Sequence, residues 1–371
     1  MIKNQKAGIH KILLPLAFAI LLTTAARSQY VSLNRNEIDK LSSLIKKDQA
    51  AKKVYVALET LAASSLVQEP NPIDTIISEG HLATDPKKII TQKSLADMNK
   101  SYALAFVYKI DHNTAYLKKC IQYLIAWANV NHGVGNPIND TKLDPIIEAY
   151  DLVKDEMTTA ERKTVDGWLR QVADAEIAAP RFKSTNKSAN NNWNSHRIKV
   201  VGNVAYILNN TEYKQFTDTS IQKQILKNLY SDGSGMDLEE RDALHYHIYT
   251  LEPLLKIVAV IKRATGTDYY GYVSPSGSSI QKSVAFLAPF ATGEKVHHEF
   301  VNSKVLFDKQ RAENKEPGYT IGAEFKPQTS VDVFSYASYF EPGYSVIVKK
   351  LLNTTEEYAN WQLLLNAVRN K

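Results

Sequence analysis

ALHYHIYTLEPLLKIVAVIKRAT, residues 243–265, places apolar side chains at three- and four-residue intervals along its whole length. That is the period of an α-helix with one buried stripe. The same spacing recurs at 41–61, 95–110, 114–128, 145–155, 160–178, 193–208, 221–230, 279–291 and 356–368. Thr158 and Thr159 ahead of Glu161, and Ser94 ahead of Asp97, resemble capping arrangements. Strand signals are few, and 344–351 (YSVIVKKL) alternates too poorly to separate strand from helix. A succession of helices with short connections predicts an all-α fold of paired antiparallel helices, an α/α toroid or barrel. No linker divides it, so 29–371 is expected to form a single domain. Two stretches, 68–91 and 302–331, are interrupted by Pro and Gly and predict long loops that wall a groove.

The 371 residues are 44% apolar and 23% charged, which excludes a disordered tail, a collagen-like fibre and a coiled-coil rod. Cys120 is the one cysteine, so neither an internal disulfide nor a multi-cysteine metal site is available. Residues 1–28 read as a secretory leader, with Lys3, Lys6 and Lys11 before an apolar run at 12–26 and small residues around Arg27. At fifteen residues the run is short of the ~20 needed to span a bilayer. The expectation is therefore a periplasmic or secreted protein, with no membrane association after leader removal. The formal charge of +6 falls to +2 once the leader's four bases are discounted. With no basic stripe, nucleic acid is not an expected partner.

Two polar constellations interrupt the apolar pattern. In Asn190-Asn191-Asn192-Trp193-Asn194-Ser195-His196-Arg197 the asparagines suit a helix start. Asn192 and His196, four apart, share one helix face and can meet a carboxyl group. The second crowds Arg241, His245, Tyr246, His247 and Tyr249 into nine residues at a helix start. His245 and His247 have the spacing of metal ligands on a strand, but on a helix they diverge, and no metal is expected. A tyrosine beside a fixed arginine can have its pKa drawn down far enough for proton transfer, or it can simply pack in the core.

Three strings, NNWNSHRIKVVG (191–202), ERDALHYHIYTLEPL (240–254) and GNPINDTKLDPIIEAYDLV (135–153), resemble the alginate lyase family of polysaccharide lyases. The resemblance covers roughly 95–260; the last hundred residues are similar only in general character. It implies an incomplete (α/α) toroid with a long groove and a lyase that breaks a polyuronate by β-elimination. It also implies an anionic polysaccharide as partner, no cofactor and a monomer. Residue by residue it makes Tyr246 the base and, for syn elimination, also the acid, with Asn192, His196 and Arg241 neutralising the C5 carboxylate. Asn191, Trp193, His245, Tyr249 and Tyr339 are then candidate substrate contacts, with Tyr336 and Tyr344 as further subsites. His81, Lys87 and Lys88 are candidates for a lid. The chain departs from the family pattern in two places. Trp193 stands where the family has His, and His196 where it has Trp. Glu239 occupies the family's arginine slot, and Arg241 stands five residues before the tyrosine.

Mannuronate-rich alginate is the first expected substrate, with glucuronan as the sister-branch alternative. Two other classes stay open: a non-catalytic polyuronate-binding protein, and a glycoside hydrolase using Asp237 and Glu240.

Overall fold

The computed structural model describes residue 1 and residues 30–183 and 185–369. The leader read at 1–28, Met1 apart, lies outside the described residues. Sixteen α-helices follow in order among them: Arg35–Lys47 (α1), Gln49–Ser65 (α2), Pro86–Asp111 (α3), Thr114–Val130 (α4), Pro137–Asp140 (α5), Asp144–Val153 (α6), Thr159–Ala178 (α7) and Asn192–Ile207 (α8). Then come Thr211–Asn228 (α9), Met236–Arg241 (α10), Leu244–Thr265 (α11), Ile280–Thr292 (α12), Leu306–Glu313 (α13), Val331–Ala337 (α14), Ser345–Leu351 (α15) and Trp361–Arg369 (α16). The extended pairing found among the described residues is limited to two isolated bridges, Leu229–Gly235 and His298–Glu324. The ambiguous stretch at 344–351 is helical. None of the described helices is long and apolar enough to cross a membrane.

The helices pack as an α/α toroid. Inner helices α3, α6, α8 and α11 are backed by α2, α4, α7, α9 and α12, and the ring closes where α16 meets α1, α2 and α14. Every residue of α8 except Trp193 is buried, which marks it as an inner helix. One apolar core runs from Val31 to Val368. The C-terminal helices, whose place in the fold the sequence left undefined, thus complete the ring.

Several boundaries differ from the periodic reading. The stretch 41–61 is two helices: Asp48 leaves helical geometry and its carboxylate caps α2 through Ala51 N (3.0 Å). The apolar phase continues across that break, so periodicity does not register it. Thr158 and Glu161 do form a capping box. Ser94 caps nothing, because α3 begins at Pro86 behind Asp85. Asp97 lies buried in mid-helix, where it accepts from Trp127 Nε1 (3.0 Å) and Asn71 N (2.6 Å). The long loop at 302–331 contains α13 and a 3-10 turn at Pro327–Ser330. It meets the first long loop where Ala83 N donates to Glu316 Oε1 (2.9 Å).

The α8–α11 contact holds the two polar constellations in one place, and it depends on Gly202. A Cβ there would sit 3.0 Å from Thr217 Cγ2 and closer still to Ile257 of α11. Overpacking of this kind costs about 1–3 kcal/mol. Gly202→Val should therefore lower the urea midpoint with an unchanged m-value, and an unaltered midpoint would show that the helices do not need this close approach.

Candidate active site

A cleft of about 730 Å³ opens at the N-terminal ends of α3 and α11. Its lining includes Lys88, Gln92 and Asn99 of α3, Lys142, Asn192, Trp193, Arg241, His245, Tyr246, Tyr249, Arg311 and Tyr319. Both sequence constellations and part of the 135–153 block therefore converge on one cavity.

Tyr246 is packed against Ala243, Phe300, Tyr249 and Tyr319, yet its hydroxyl is not sealed in hydrocarbon. It accepts from Arg311 Nη1 (2.9 Å) and lies 3.5 Å from the Tyr319 hydroxyl. The Arg241 guanidinium stacks on its ring, 3.6 Å from the centroid. Burial and the Tyr319 phenol push the Tyr246 pKa up, while Arg241 and Arg311 pull the other way. The net effect keeps the resting phenol protonated.

Arg241 was expected to grip a carboxylate, but its fork is already engaged. Nε donates to Asp308 Oδ2 (3.0 Å), and Nη2 is paired with Oδ1 of the same carboxylate. The arginine facing the phenol is Arg311, whose Nε has no hydrogen-bond partner among the described residues and lies 3.8 Å from Glu316. Nothing near 311 in the sequence marked it, because that stretch read only as a loop.

The turn that orients this group is clamped from a distance. Asp242 adopts a left-handed conformation (φ 48°) between α10 and α11. It does not cap α11; Glu299 does, accepting from Leu244 N (2.9 Å) and His245 N (3.3 Å). Asp242 Oδ2 instead accepts from Asn302 N (2.8 Å).

Asn192 reaches the cleft wall with one amide hydrogen committed to Asp237, which also accepts from the Asn192 backbone N (3.1 Å). The second amide hydrogen is left for a ligand. Asp237 further accepts from Asn228 Nδ2 (2.7 Å) and Thr250 Oγ1 (2.8 Å). Burial pushes its pKa up against these four donors. A carboxylate so enclosed cannot serve as a hydrolase nucleophile or acid, and Glu240 is held by Lys187 (2.6 Å). The hydrolase pair of Asp237 and Glu240 is therefore not assembled.

His196 stands one layer behind the wall, covered by the Tyr249 ring at 4.2 Å. Its Nδ1 meets Thr141 Oγ1 (2.9 Å), and Nε2 has no partner among the described residues. Burial, reinforced by Lys199, Lys142 and Lys256, holds its pKa well below the ordinary value, so the ring is neutral. Asn191 is not a cleft residue. It is the N-cap of α8, accepting from Trp193 N (3.1 Å). Trp193 and Tyr249 do line the cleft, as does His245, whose pKa burial and the two arginines lower to about 4. His247 diverges from His245 and meets Ser283 O (3.0 Å). Among the described residues no group of three His, Cys, Asp or Glu is placed to hold a metal ion.

Tyr339 and Tyr336 line a separate cavity with Lys256, Arg263 and Arg369, and Tyr344 packs on Phe334 (5.4 Å). None of the three lines the Tyr246 cleft itself, although Tyr336, on α14, also lines the neighbouring cavity that shares Asn99 with it. Of the lid candidates, Lys88 lines the cleft and donates to His81 O (2.8 Å). His81 pairs with Asp85 (2.6 Å), and Lys87 points to solvent. Beyond Asn99 the groove continues into a cavity of about 290 Å³ lined by Asp144, Glu148, Asp332, Lys256, Tyr336 and Trp361. Asp144 there is paired with Lys199 and Lys256, and burial raises Glu148 to about 7, so the lining offers a polyanion no unpaired lysine.

Residues 26–297 match the sequence family described as Alginate lyase. A curated relative from Stenotrophomonas maltophilia (strain K279a), named polysaccharide lyase, is 29% identical over 165 residues. The match covers 40% of this chain and 47% of that relative, so the chain spans about half its length. Among solved structures, an alginate lyase from Bacteroides ovatus superposes with a TM-score of 0.66 at 15% identity, covering 91% of this chain and 98% of that one. Alginate lyase A1-III from Sphingomonas species A1 gives 0.59 at 17% identity, over 85% and 89%. At these identities the superpositions establish the shared fold.

Asp237→Asn would turn an amide N–H toward four donors and leave buried groups unpaired, at about 1–3 kcal/mol. Thermal unfolding should shift down accordingly, and a neutral result would remove Asp237 from the framework. His247 predicts a pH effect. Burial lowers its folded pKa to about 4, whereas the unfolded ring protonates near ~6.5. Unfolding therefore takes up a proton, and this contribution to stability is lost as pH falls from about 6.5 toward 4. In denaturant titrations between pH 7 and 4.5, His247→Gln should flatten that loss; parallel curves for the two proteins would refute the assignment.

Proposed function

The chain belongs to the alginate lyase family, and from that premise we propose that it cleaves a β-linked polyuronate by β-elimination, mannuronate-rich alginate first and glucuronan as the alternative. The observation that carries this reading is a phenol bonded at 2.9 Å to one guanidinium and stacked at 3.6 Å on another, at the wall of an open cleft.

In the reaction a base takes the C5 proton, and the C4–O4 bond breaks as its electrons leave with O4. The C4=C5 double bond forms, and an acid protonates the departing oxygen. Tyr246 is assigned both transfers, on one face of the sugar. Its resting protonated state suits the acid step, and the two guanidinium groups stabilise the phenolate that the base step needs. The C5 carboxylate must be neutralised for its neighbouring proton to leave. Arg311 and the free N–H of Asn192 are assigned this task. Arg241, tied to Asp308, acts by holding the Tyr246 ring, and neutral His196 acts by backing Tyr249. Neutral His245, 5.0 Å from Tyr246 ring to ring, favours a second assignment in which imidazole takes the C5 proton and Tyr246 is the acid alone.

The leader-like composition of 1–28 supports export to the periplasm or beyond. The continuous core supports treating 29–371 as one domain. A non-catalytic polyuronate-binding protein is the remaining alternative.

The direct test is ultraviolet absorbance of the unsaturated product on polymannuronate, polyguluronate and glucuronan. Absorbance should rise on at least one of the three, and Tyr246→Phe should reduce the rate about 10²–10⁴-fold, the usual worth of a positioned proton donor. His245→Gln should fall as far only if imidazole is the base. Binding without any rise in absorbance from the folded parent would favour the binding-protein alternative.

A further inference from the structure

Lys142 is a cleft residue that the proposed chemistry leaves unused. It occupies the single 3-10 turn Thr141–Leu143 after α5. Its neighbours in that turn are buried, with Thr141 bonded to His196 and Lys199. Those contacts fix the backbone and leave the Lys142 side chain exposed in the cleft wall. Its ammonium makes no hydrogen bond or ion pair among the described residues. Lys88, on the α3 wall of the same cleft, spends one donor on His81 O (2.8 Å) and retains two.

This cationic position is separate from the one around Tyr246. The groups that weigh most on Tyr246 are Tyr319, Arg241, Arg311 and Asp308. Those felt by Lys142 are Glu252, Asp144, Lys256 and Lys88. Desolvation in the concave wall, with repulsion from Lys256 and Lys88, holds the Lys142 pKa below the ordinary lysine value despite the two acids. An unpaired cation in that setting gains from an incoming anion. Asp144 does not fill the role, because it is already paired with Lys199.

A polyuronate carries one carboxylate on every sugar, so a chain engaged at Tyr246 presents further carboxylates along the cleft. We propose that Lys142, assisted by Lys88, binds the carboxylate of a neighbouring uronate residue, forming a second anionic subsite that sets the register of the polymer. The inference rests on the reading of this cleft as a polyuronate site. The cavity past Asn99 bounds the subsite on its far side, since its one lysine, Lys256, already stands 3.5 Å from Asp144 and from Glu252.

The test is calorimetric binding of mannuronate and glucuronate trisaccharides to Tyr246→Phe and to the same protein carrying Lys142→Gln, which separates affinity from turnover. Loss of one charge-assisted contact should weaken binding about tenfold, with a shallower salt dependence. Lys142→Arg should restore most of the affinity. The methyl-esterified trisaccharide should bind both proteins alike, which a merely structural role for Lys142 would not produce. Equal affinity for the free acids, or the same loss on the ester, overturns the subsite while leaving the lyase reading intact. If the parent Tyr246→Phe protein binds none of these uronates, the reading of the cleft and the subsite fall together.

Discussion

A single buried carboxylate, Asp237, holds the site in register. It lies in α10 and accepts from the start of α8, the end of α9 and the second turn of α11. A charge so enclosed is tolerable only while its donors are all present. Any slip of one helix relative to another leaves both an orphaned donor and an undercompensated anion. The four helices therefore share one permitted arrangement. In that arrangement Asn192 and Tyr246, 54 residues apart in sequence, stand on the same cleft.

On this frame the proposed chemistry turns on a contest between burial and charge at the Tyr246 hydroxyl. Packing against Phe300 and Tyr319 penalises the phenolate, and two guanidinium groups favour it. Neither arginine is free to drift: Asp308 fixes Arg241, while Phe307 and Tyr319 sandwich Arg311 at 4.1 and 4.6 Å. A preorganised pair of cations needs no reorganisation when charge develops on the phenol, which is the usual source of large electrostatic effects in such sites. Beyond Asn99 the one lysine of the lining is paired with acids, so the unpaired cations of the groove stand at the Tyr246 end.

The helices of the ring and the two polar constellations were legible because each is written locally, in apolar period and in unusual polar clusters. Asn192, Trp193, His245, Tyr246 and Tyr249 all reach the cleft. What could not be read was set by tertiary partners. Asn191 looked like a ligand contact and is a helix cap. Arg241 looked available, and only the fold brings Asp308, 67 residues away, to occupy it. Asp237 looked like a catalytic acid until four donors closed around it. Tyr339 belongs to a segment whose direction depends on how α14 packs, which no periodicity encodes. The kink at Asp48 escaped because the apolar phase runs straight through it.

The family match ends at 297, and much of what surrounds the phenol lies beyond it. Glu299 caps α11, Asn302 and Phe300 clamp the Asp242 turn, and Asp308, Arg311 and Tyr319 supply the charge and the wall facing Tyr246. Asp308 and Arg311 lie on α13, and the others on the non-helical segments around it. The toroid supplies the phenol, the asparagine and Arg241, and the C-terminal segment supplies Arg311 and the carboxylate of Asp308 that holds Arg241. Such a division leaves Asp237 and the register it enforces to the helices, while several groups facing the phenol come from connecting segments, the part of a fold where function most often varies.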